Sequence, residues 1–285
     1  MYPLISDLNF ILEHGSLTDE EREWLSTASG QLHNREPLLS QIHQMMDEVW
    51  DELNCDPMVN DQRIADFYSH PVWLLNGFFI GQDPQSRQIR ETFAEWAASH
   101  SPLRIADIGG GFGYLALELS HQIPTAEIDI IEPYAHPLSV SLMEPFGNIR
   151  FRKKLQGDYD LMFATDVFEH LWDPVTTAYE STLHLRKGGF FLMANAFKAD
   201  ILCHLPQHFH FYYGWESTMR AMGLRPLSKL LYGRIYQRQE FVSIIAAKAA
   251  AARSRKLCNF IETVYFPGRR KTGRLLNELF TRMRL

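Results

Sequence analysis

Hydrophobic and polar positions follow two different patterns, and the change between them falls near residue 100. Before it, apolar residues recur every three or four positions, as on one face of a helix, most clearly from Glu36 to Leu53. Thr18 and Glu21 have the spacing of a capping box, which marks a helix start. Pro71 interrupts another apolar helical pattern between residues 61 and 79. Residues 1–100 are therefore predicted to form a helical N-terminal cap, or else an ordinary helical extension or dimer surface.

From residue 103 onwards, short apolar runs of strand length alternate with helical patterns. The predicted strands are residues 103–108, 126–131, 148–152, 159–165 and 190–195, with 227–236 and 240–247 as a terminal antiparallel hairpin. This alternation predicts an α/β fold with seven strands in a mostly parallel sheet. We divide the chain into a helical cap or substrate lid (1–100), a cofactor-binding core (101–247) and a basic C-terminal helical tail (248–285).

Charge is distributed unevenly along the chain. The formal net charge is −6, but residues 1–100 hold 17 acids and 5 arginines, whereas residues 248–285 hold 10 bases and 2 acids. An acidic whole argues against a dedicated nucleic-acid binder. The basic tail could meet a membrane surface, an anionic substrate or an acidic partner. We expect it to pack on the acidic N-terminal region, within one chain or across a homodimer.

Cysteine usage and the apolar runs indicate the cellular setting. The three cysteines, Cys55, Cys203 and Cys258, are odd in number and far apart, which favours reduced thiols over a disulfide framework. The sequence contains no run of 18 apolar residues, so no transmembrane helix is predicted. The first ten residues lack the basic start and apolar core of a signal peptide. These features predict a cytoplasmic protein.

The stretch from residue 103 to residue 120 carries the strongest chemical signal. An apolar strand with Asp107 near its end runs into Gly109, Gly110, Gly111 and Gly113, and a helix pattern follows at once. Glycine allows close approach of a ligand to the backbone. The helix start offers free N–H groups and the positive end of its dipole. These five residues are therefore predicted to bind a cofactor.

The spacing of the glycines bears on which cofactor is bound. The dinucleotide pattern G-x-G-x-x-G places Tyr114 or Ala116 at the third glycine, so only its looser G-x-G-x-x-A form fits. The second predicted strand ends in Glu132, 19 positions after Gly113. In nucleotide-binding α/β folds, an acid at about this distance accepts hydrogen bonds from ribose hydroxyls. Glu132 is therefore a candidate ribose ligand.

The fuller pattern D-x-G-x-G-x-G, from Asp107 to Gly113, resembles motif I of the class I S-adenosylmethionine-dependent methyltransferases. Residues 165–174, TDVFEHLWDP, resemble the D-V-x-E-H-x-x-D-P segment of the quinone-biosynthesis type of small-molecule methyltransferase. The match covers about residues 103–245. It implies a Rossmann-like fold and S-adenosylmethionine as cofactor, with S-adenosylhomocysteine as product. It also implies that Glu132 meets the ribose and that Thr165 and Asp166 lie at the cofactor. The expected adenine contact after the third strand is missing, and Asp158 is only a weak candidate for it.

Asp166, Glu169 and His170 form a second cluster with helical i, i+3, i+4 spacing. Three interpretations compete. Asp166 could be a helix N-cap with Glu169 as its capping-box partner. His170 could be a general base or orient the substrate. All three could ligate a divalent metal with a distant histidine: magnesium if oxygen dominates, zinc or manganese if histidine does. The metal is possible but not favoured.

A third cluster, residues 204–213, holds three histidines among aromatic residues after the fifth strand. Loops at the carboxyl ends of parallel strands face the ligand in such folds. Related methyltransferases often carry H-x-x-F there. The alternative is a polar, aromatic surface loop with no role in catalysis. We predict His170, His208 and His210 as the catalytic polar groups. If the cap covers the site, its aromatic and histidine side chains close it, namely Tyr68, His70, Trp73 and Phe78.

These features favour methyl transfer to a hydroxyl of a small molecule, by in-line displacement with histidine assistance. The N-P-P-Y signature of amino methylation on nucleic acids is absent after the fourth strand, and no cysteine is placed to form a covalent cytosine intermediate. Methylation of nitrogen, of carbon or of a macromolecule stays open. A non-catalytic S-adenosylmethionine- or nucleotide-binding module is the rival class, and a dehydrogenase is weaker still.

Overall fold

The computed structural model describes residues 11–12, 16–33, 37–198 and 201–260. The N-terminal helices, which we call the cap, form as their capping and periodicity signals predict, and Thr18 and Glu21 make both bonds of the capping box. The described part of residues 1–100 is helical and holds no strand. Its helices are α1 (Asp19–Gln31), α2 (Leu38–Glu52), α3 (Gln62–Tyr68), α4 (Val72–Gln82) and α5 (Pro84–Ala98).

Strands and helices alternate after residue 103. The strands are β1 (Arg104–Ile108), β2 (Glu127–Ile131), β3 (Ile149–Arg152), β4 (Tyr159–Thr165), β5 (Leu185–Ala194), β6 (Leu224–Leu230) and β7 (Gly233–Arg238). The helices between and after them are α6 (Tyr114–Gln122), α7 (Pro137–Met143), α8 (Pro174–Leu183), α9 (Phe211–Met222) and α10 (Ile244–Phe260).

The seven described strands form one sheet in the order β3-β2-β1-β4-β5-β7-β6. The first five lie parallel to their neighbours, and β7 is antiparallel to both β5 and β6. The predicted α/β, Rossmann-like architecture with a terminal antiparallel hairpin is thus confirmed.

The carboxyl ends of the parallel strands meet at one edge of the sheet. Ile108 of β1 pairs with Ile131 of β2 on one side and Ala164 of β4 on the other. The chain leaves β1 toward β2 and later returns to β4, so β1 is the switch point at which such folds bind ligands. Because β7 runs antiparallel to β5, with Met193 opposite Arg234, the β6–β7 turn also lies at this edge. We call it the carboxyl edge.

Helices cover both faces of the sheet. On one face Phe93 of α5 and Leu119 of α6 pack on strand residues that include Phe163. On the other face, Trp215 and its neighbours on α9 join Val175 of α8 and Ala247 of α10 in a second core. Strand residues alternate between these two cores, as the two-residue period of a strand requires.

The cap has its own hydrophobic core, built from α1 to α4 around Ile42, Trp50 and Phe67. This core continues into the glycine turn through Phe112, whose ring lies so close to Gly77 of α4 that a Cβ there would meet it at 2.3 Å. Burial of Phe112 therefore docks the cap directly over the turn after β1.

Two sequence-based expectations about the C-terminal part are wrong. The hairpin turns at Leu231 (φ +53°), so residues 227–236 are not one strand, and residues 240–247 lead into α10 instead of forming its partner. The proposed boundary at residue 247 falls inside α10. The described part of the tail packs on α9 and α8, with Ser254 against Gly214 and Lys248 paired to Asp173 at 3.5 Å, and residues 261–285 lie outside the described residues.

Within the described ranges, none of the helices combines the length and the apolar character that crossing a membrane requires.

Candidate functional site

The glycine turn shapes the centre of the carboxyl edge. Gly109, Gly111 and Gly113 all have positive φ, of +64°, +53° and +85°, which side chains with a Cβ adopt only at a cost. Gly110, between them, lies against the Asp107 carboxylate. At Gly111 no atom lies within 4 Å of the position that a Cβ would occupy, so this part of the backbone is open to a ligand.

Two acids flank the turn. Glu132, directly after β2, accepts hydrogen bonds from the N–H groups of Gly111 (3.3 Å) and Tyr134 (3.2 Å). Asp107 is only 2% exposed, and its Oδ2 has no hydrogen-bond partner. Burial, and then repulsion by Glu132, raises the pKa of Asp107 to about 7, and burial also raises the pKa of Glu132. No described lysine or arginine forms an ion pair with either acid, so the pair is suited to a cationic or hydroxyl-bearing ligand.

The segment after β4 forms a turn and not a helix start. Asp166 has φ +52°, outside the extended region of an N-cap, and Glu169 does not return to its backbone. The capping-box interpretation is therefore wrong. Asp166 Oδ2 instead accepts from the Tyr232 hydroxyl (2.8 Å), and Glu169 Oε1 accepts from the Ala196 N–H (2.5 Å).

These two carboxyl groups share an electrostatic environment. Surrounding protein raises the pKa of Asp166, although its side chain keeps contact with solvent. Glu169 is 1% exposed, and burial together with repulsion by Asp166 raises its pKa. Both groups can therefore exchange protons closer to neutrality than ordinary acids do.

Among the buried polar atoms of the described residues that have no hydrogen-bond partner, four lie where β1, β4 and β5 end. They are Asp107 Oδ2, Thr165 Oγ1, Glu169 Oε2 and Asn195 Oδ1. Folded proteins pair nearly all such atoms, and an unpaired one costs about 1–3 kcal/mol. These four atoms at the carboxyl edge could take hydrogen bonds from a polar ligand.

The i, i+3, i+4 spacing groups His170 with Asp166 and Glu169, but the structure places it beside His204 and Cys203. Its Nδ1 is 3.2 Å from the Cys203 carbonyl oxygen, and His204 Nδ1 is 2.9 Å from the Ala196 carbonyl oxygen. The two rings meet edge to face with their centroids 4.5 Å apart. Burial lowers the pKa of His170 to about 3 and that of His204 to about 4, so both rings are neutral at physiological pH.

His208 and His210 make contacts of another kind. His208 Nε2 donates to the Leu171 carbonyl oxygen (2.8 Å). His210 Nδ1 donates to the Ser254 hydroxyl (3.0 Å), which itself donates to the His210 carbonyl oxygen, so this ring joins α9 to α10. Burial lowers the pKa of His208, and it lowers that of His210 to about 4. The structure thus does not bring His210 into the contacts that surround His170.

Of the four cap side chains predicted to lie near a substrate, some approach the carboxyl edge and one does not. Tyr68 and Trp73 face the His170 ring, at centroid distances of 6.2 Å and 6.0 Å. Phe78 packs edge to face against Phe112 of the glycine turn, whereas His70 packs inside the cap and its Nδ1 accepts from the Val72 N–H. Three of the four predicted residues therefore approach the carboxyl edge.

Sequence reasoning missed Tyr232, Asn195, Cys203 and the role of His204. Tyr232 meets Asp166 across 66 positions, because the β6–β7 turn returns to the carboxyl edge, and no local pattern predicts that. Asp158, the weak candidate for adenine, directly precedes β4 and so lies at the opposite edge of the sheet. Asn195 directly follows β5, a position that could have singled it out.

No protein-family model matches the chain, and none of the curated proteins is similar to it in sequence. Several solved structures are similar in fold. An O-methyltransferase family protein from Burkholderia thailandensis is 12% identical, with a TM-score of 0.49 over 78% of this chain and 85% of that one. The 1,6-didemethyltoxoflavin-N1-methyltransferase of the same organism, with bound 1,6-didemethyltoxoflavin and S-adenosylhomocysteine, is 14% identical, with a TM-score of 0.48 over 68% and 91%. A putative O-methyltransferase from Nostoc punctiforme is 15% identical, with a TM-score of 0.43 over 59% and 61%.

At these identities the similarity concerns the arrangement of strands and helices, and the chemistry depends on this chain's own side chains. The strand order gives this chain a Rossmann-like α/β fold. The glycine turn at the switch point and the unpaired polar atoms around it mark the carboxyl edge as the candidate cofactor site.

Proposed function

We propose that this protein is an S-adenosylmethionine-dependent methyltransferase. The observation that carries the proposal is the pair of acids, buried Asp107 and partly buried Glu132, on either side of an open glycine turn. S-adenosylmethionine brings an ammonium, a sulfonium and two ribose hydroxyls, which suit the unpaired Asp107 Oδ2 and the acceptor oxygens of Glu132. The resemblance of residues 107–113 and 165–174 to methyltransferase motifs supports the same assignment.

The unpaired atoms of the carboxyl edge fit this cofactor. Glu132 would accept from the ribose hydroxyls, and the Gly111 N–H that it now occupies would be released to the ligand. Asp107 Oδ2 and Thr165 Oγ1 would take donors at the ends of β1 and β4. When bound, the cofactor supplies a methyl group on a sulfonium, ready for transfer to a nucleophile.

For the acceptor we propose a small molecule with a hydroxyl group, enclosed between the carboxyl edge and the cap. Tyr68 and Trp73 present an aromatic wall, and the Trp73 Nε1 is buried without a partner. Aromatic faces with one polar donor suit a flat, polar aromatic acceptor. Closing the cap over this space would exclude water from the transfer.

For the proton of that hydroxyl we propose Asp166 as the acceptor. A general base works best when its pKa lies near the working pH, and the surrounding protein raises the pKa of Asp166 in that direction, although the residue keeps contact with solvent. The histidines fit this role less well, because the pKa of His170 and that of His210 fall to about 3 and about 4. Tyr232, which donates to Asp166, would orient the carboxylate.

Calorimetric titration of the protein with S-adenosylmethionine, S-adenosylhomocysteine and NAD tests the proposal, with Glu132→Ala as the variant and Glu144→Ala, an exposed site at the end of α7, as the control. Loss of hydrogen bonds to a charged group predicts binding about 10- to 100-fold weaker in Glu132→Ala alone. A folded protein that binds neither adenosyl compound would refute the proposal. Binding of NAD alone would favour a dehydrogenase, and tight binding without turnover of any hydroxyl acceptor would favour a non-catalytic module.

A further inference from the structure

A cluster of three potential metal ligands lies beside the proposed cofactor site. His170, Cys203 and His204 each offer one ligand atom, and these atoms all lie within 4.8 Å of one another. Cys203 and His204 are buried, at 1% and 7% exposure, and His170 is partly buried. Two imidazoles and a thiol form a donor set that suits zinc and neighbouring transition metals rather than magnesium or calcium.

The hydrogen bonds of both rings prepare them for coordination. A carbonyl oxygen only accepts, so the Nδ1 atoms facing the Cys203 and Ala196 carbonyls carry the ring protons. The Nε2 atoms of His170 and His204 then hold free lone pairs. Ligand histidines in proteins are held in this way, by donating the opposite N–H to a carbonyl or carboxylate, which fixes the tautomer and the ring direction.

The charges around the cluster favour a cation. The Asp47 and Glu169 carboxylates both act on the Cys203 thiol, whose pKa is raised mainly by burial. A bound divalent ion would reverse this effect by deprotonating the thiol outright. Two neutral rings, one thiolate and a divalent ion leave one positive charge, which the two neighbouring acids would balance.

We propose that His170, Cys203 and His204 bind one zinc ion, with the fourth position left to water or to an oxygen of the acceptor. Tetrahedral zinc has Zn–N distances of about 2.0–2.1 Å and a Zn–S distance of about 2.3 Å, which puts its ligand atoms about 3.4–3.6 Å apart. Because the three ligand atoms lie within 4.8 Å of one another, they need to approach by at most about 1.4 Å. The ion joins the turn after β4 to the loop after β5, beneath Tyr68 and Trp73 of the cap. The site differs from the sequence-based set of Asp166, Glu169 and His170, whose two acids bond elsewhere, and it revises the expectation that a metal is not favoured.

Cobalt(II) titration of the metal-free full-length protein tests this proposal without cofactor or acceptor, so the result is independent of the proposed function. We expect one equivalent to bind, with the visible bands of tetrahedral cobalt and a thiolate-to-metal charge-transfer band, and zinc to displace it. In Cys203→Ser the charge-transfer band should vanish. In His204→Gln the affinity should fall by at least about 100-fold.

Cys55→Ser and His121→Gln serve as matched controls, since Cys55 bonds only the Arg63 carbonyl of the cap in its described contacts and His121 is exposed on α6. Both should bind cobalt as the unmodified protein does. The site assignment is overturned if the folded protein binds no stoichiometric cobalt, or if the charge-transfer band survives in Cys203→Ser. If Cys203→Ser fails to fold, the site assignment is tested by the His204→Gln titration and by the cobalt spectrum of the unmodified protein.

Discussion

Replacing Asp107 by Asn should make the protein more stable and its cofactor binding weaker. The Asp107 carboxyl is 2% exposed, its Oδ2 has no partner, and Glu132 repels it. Burial of an unpaired carboxylate disfavours its ionised form. The free protein therefore carries an electrostatic cost at this position, and a cationic ligand would remove that cost.

The size of this cost follows from the pKa of Asp107, which rises from 3.8 to about 7 on folding. Below pH 3.8 the group is protonated in both states and costs nothing. Between pH 3.8 and 7 the unfolded chain ionises first, so stability falls as pH rises, and above 7 the loss is complete. A shift of about 3 units at about 1.4 kcal/mol per unit gives an upper limit of about 4 kcal/mol.

Urea unfolding of both proteins at pH 5 and pH 8 measures this effect. Because Asn is neutral throughout, we expect Asp107→Asn to gain about 2–4 kcal/mol over the unmodified protein at pH 8, and clearly less at pH 5. Asp51→Asn, at an exposed position of α2, should show neither change. Calorimetry on Asp107→Asn should show weaker S-adenosylmethionine binding. An equal gain at both pH values, or a loss at pH 8, would refute the reasoning.

Three further changes test other parts of the site. Gly113→Ala places a Cβ at φ +85° and within 2.8 Å of a β2 side chain, so it should cost about 1–2 kcal/mol of unfolding free energy and weaken cofactor binding by calorimetry. Tyr232→Phe removes the hydrogen bond that lowers the pKa of Asp166, so the acidic limb of the pH–rate profile should move to higher pH. Ser254→Ala deprives the buried His210 ring of its partner, so thermal unfolding should show a loss of about 1–3 kcal/mol with cofactor affinity unchanged.

Each of these variants has a matched control. Gly30→Ala, in α1 with free space around it, should not weaken cofactor binding. Tyr212→Phe, at an exposed tyrosine, should leave the pH–rate profile in place, and Ser228→Ala, at an exposed serine of β6, should leave stability unchanged. An unshifted profile in Tyr232→Phe would contradict the role of Asp166. A loss of cofactor affinity in Ser254→Ala would show that His210 acts at the site.

Local signals predicted the helices of the cap and the core of the sheet. Thr18 and Glu21 lie three positions apart, so their reciprocal bonds depend only on neighbouring residues. The break at Pro71 has the same local origin. The glycine turn was also foreseeable, because its positive φ values need glycine whatever surrounds it.

Predictions failed where a residue distant in sequence supplies the hydrogen bond or packing contact that a near neighbour was predicted to supply. Asp166 and Glu169 have capping-box spacing, but Tyr232 and the Ala196 N–H take their carboxylates instead. Residues 240–247 have strand-like composition, yet the chain had already turned at Leu231 and needs a helix to cover α9. In both cases, burial and long-range hydrogen bonds outweighed local preference.

The sequence by itself determined the α/β alternation, the N-terminal helices, the glycine turn and the acid that follows β2, because each depends on residues within one or two elements. The tertiary structure alone decided which side chains share a site. It brought Tyr232 to Asp166 across 66 positions and His170 to the Cys203 carbonyl across 33. The physical reason is that parallel strands gather their carboxyl ends at one edge, so loops far apart along the chain meet there, and burial then sets the charge state of every group among them.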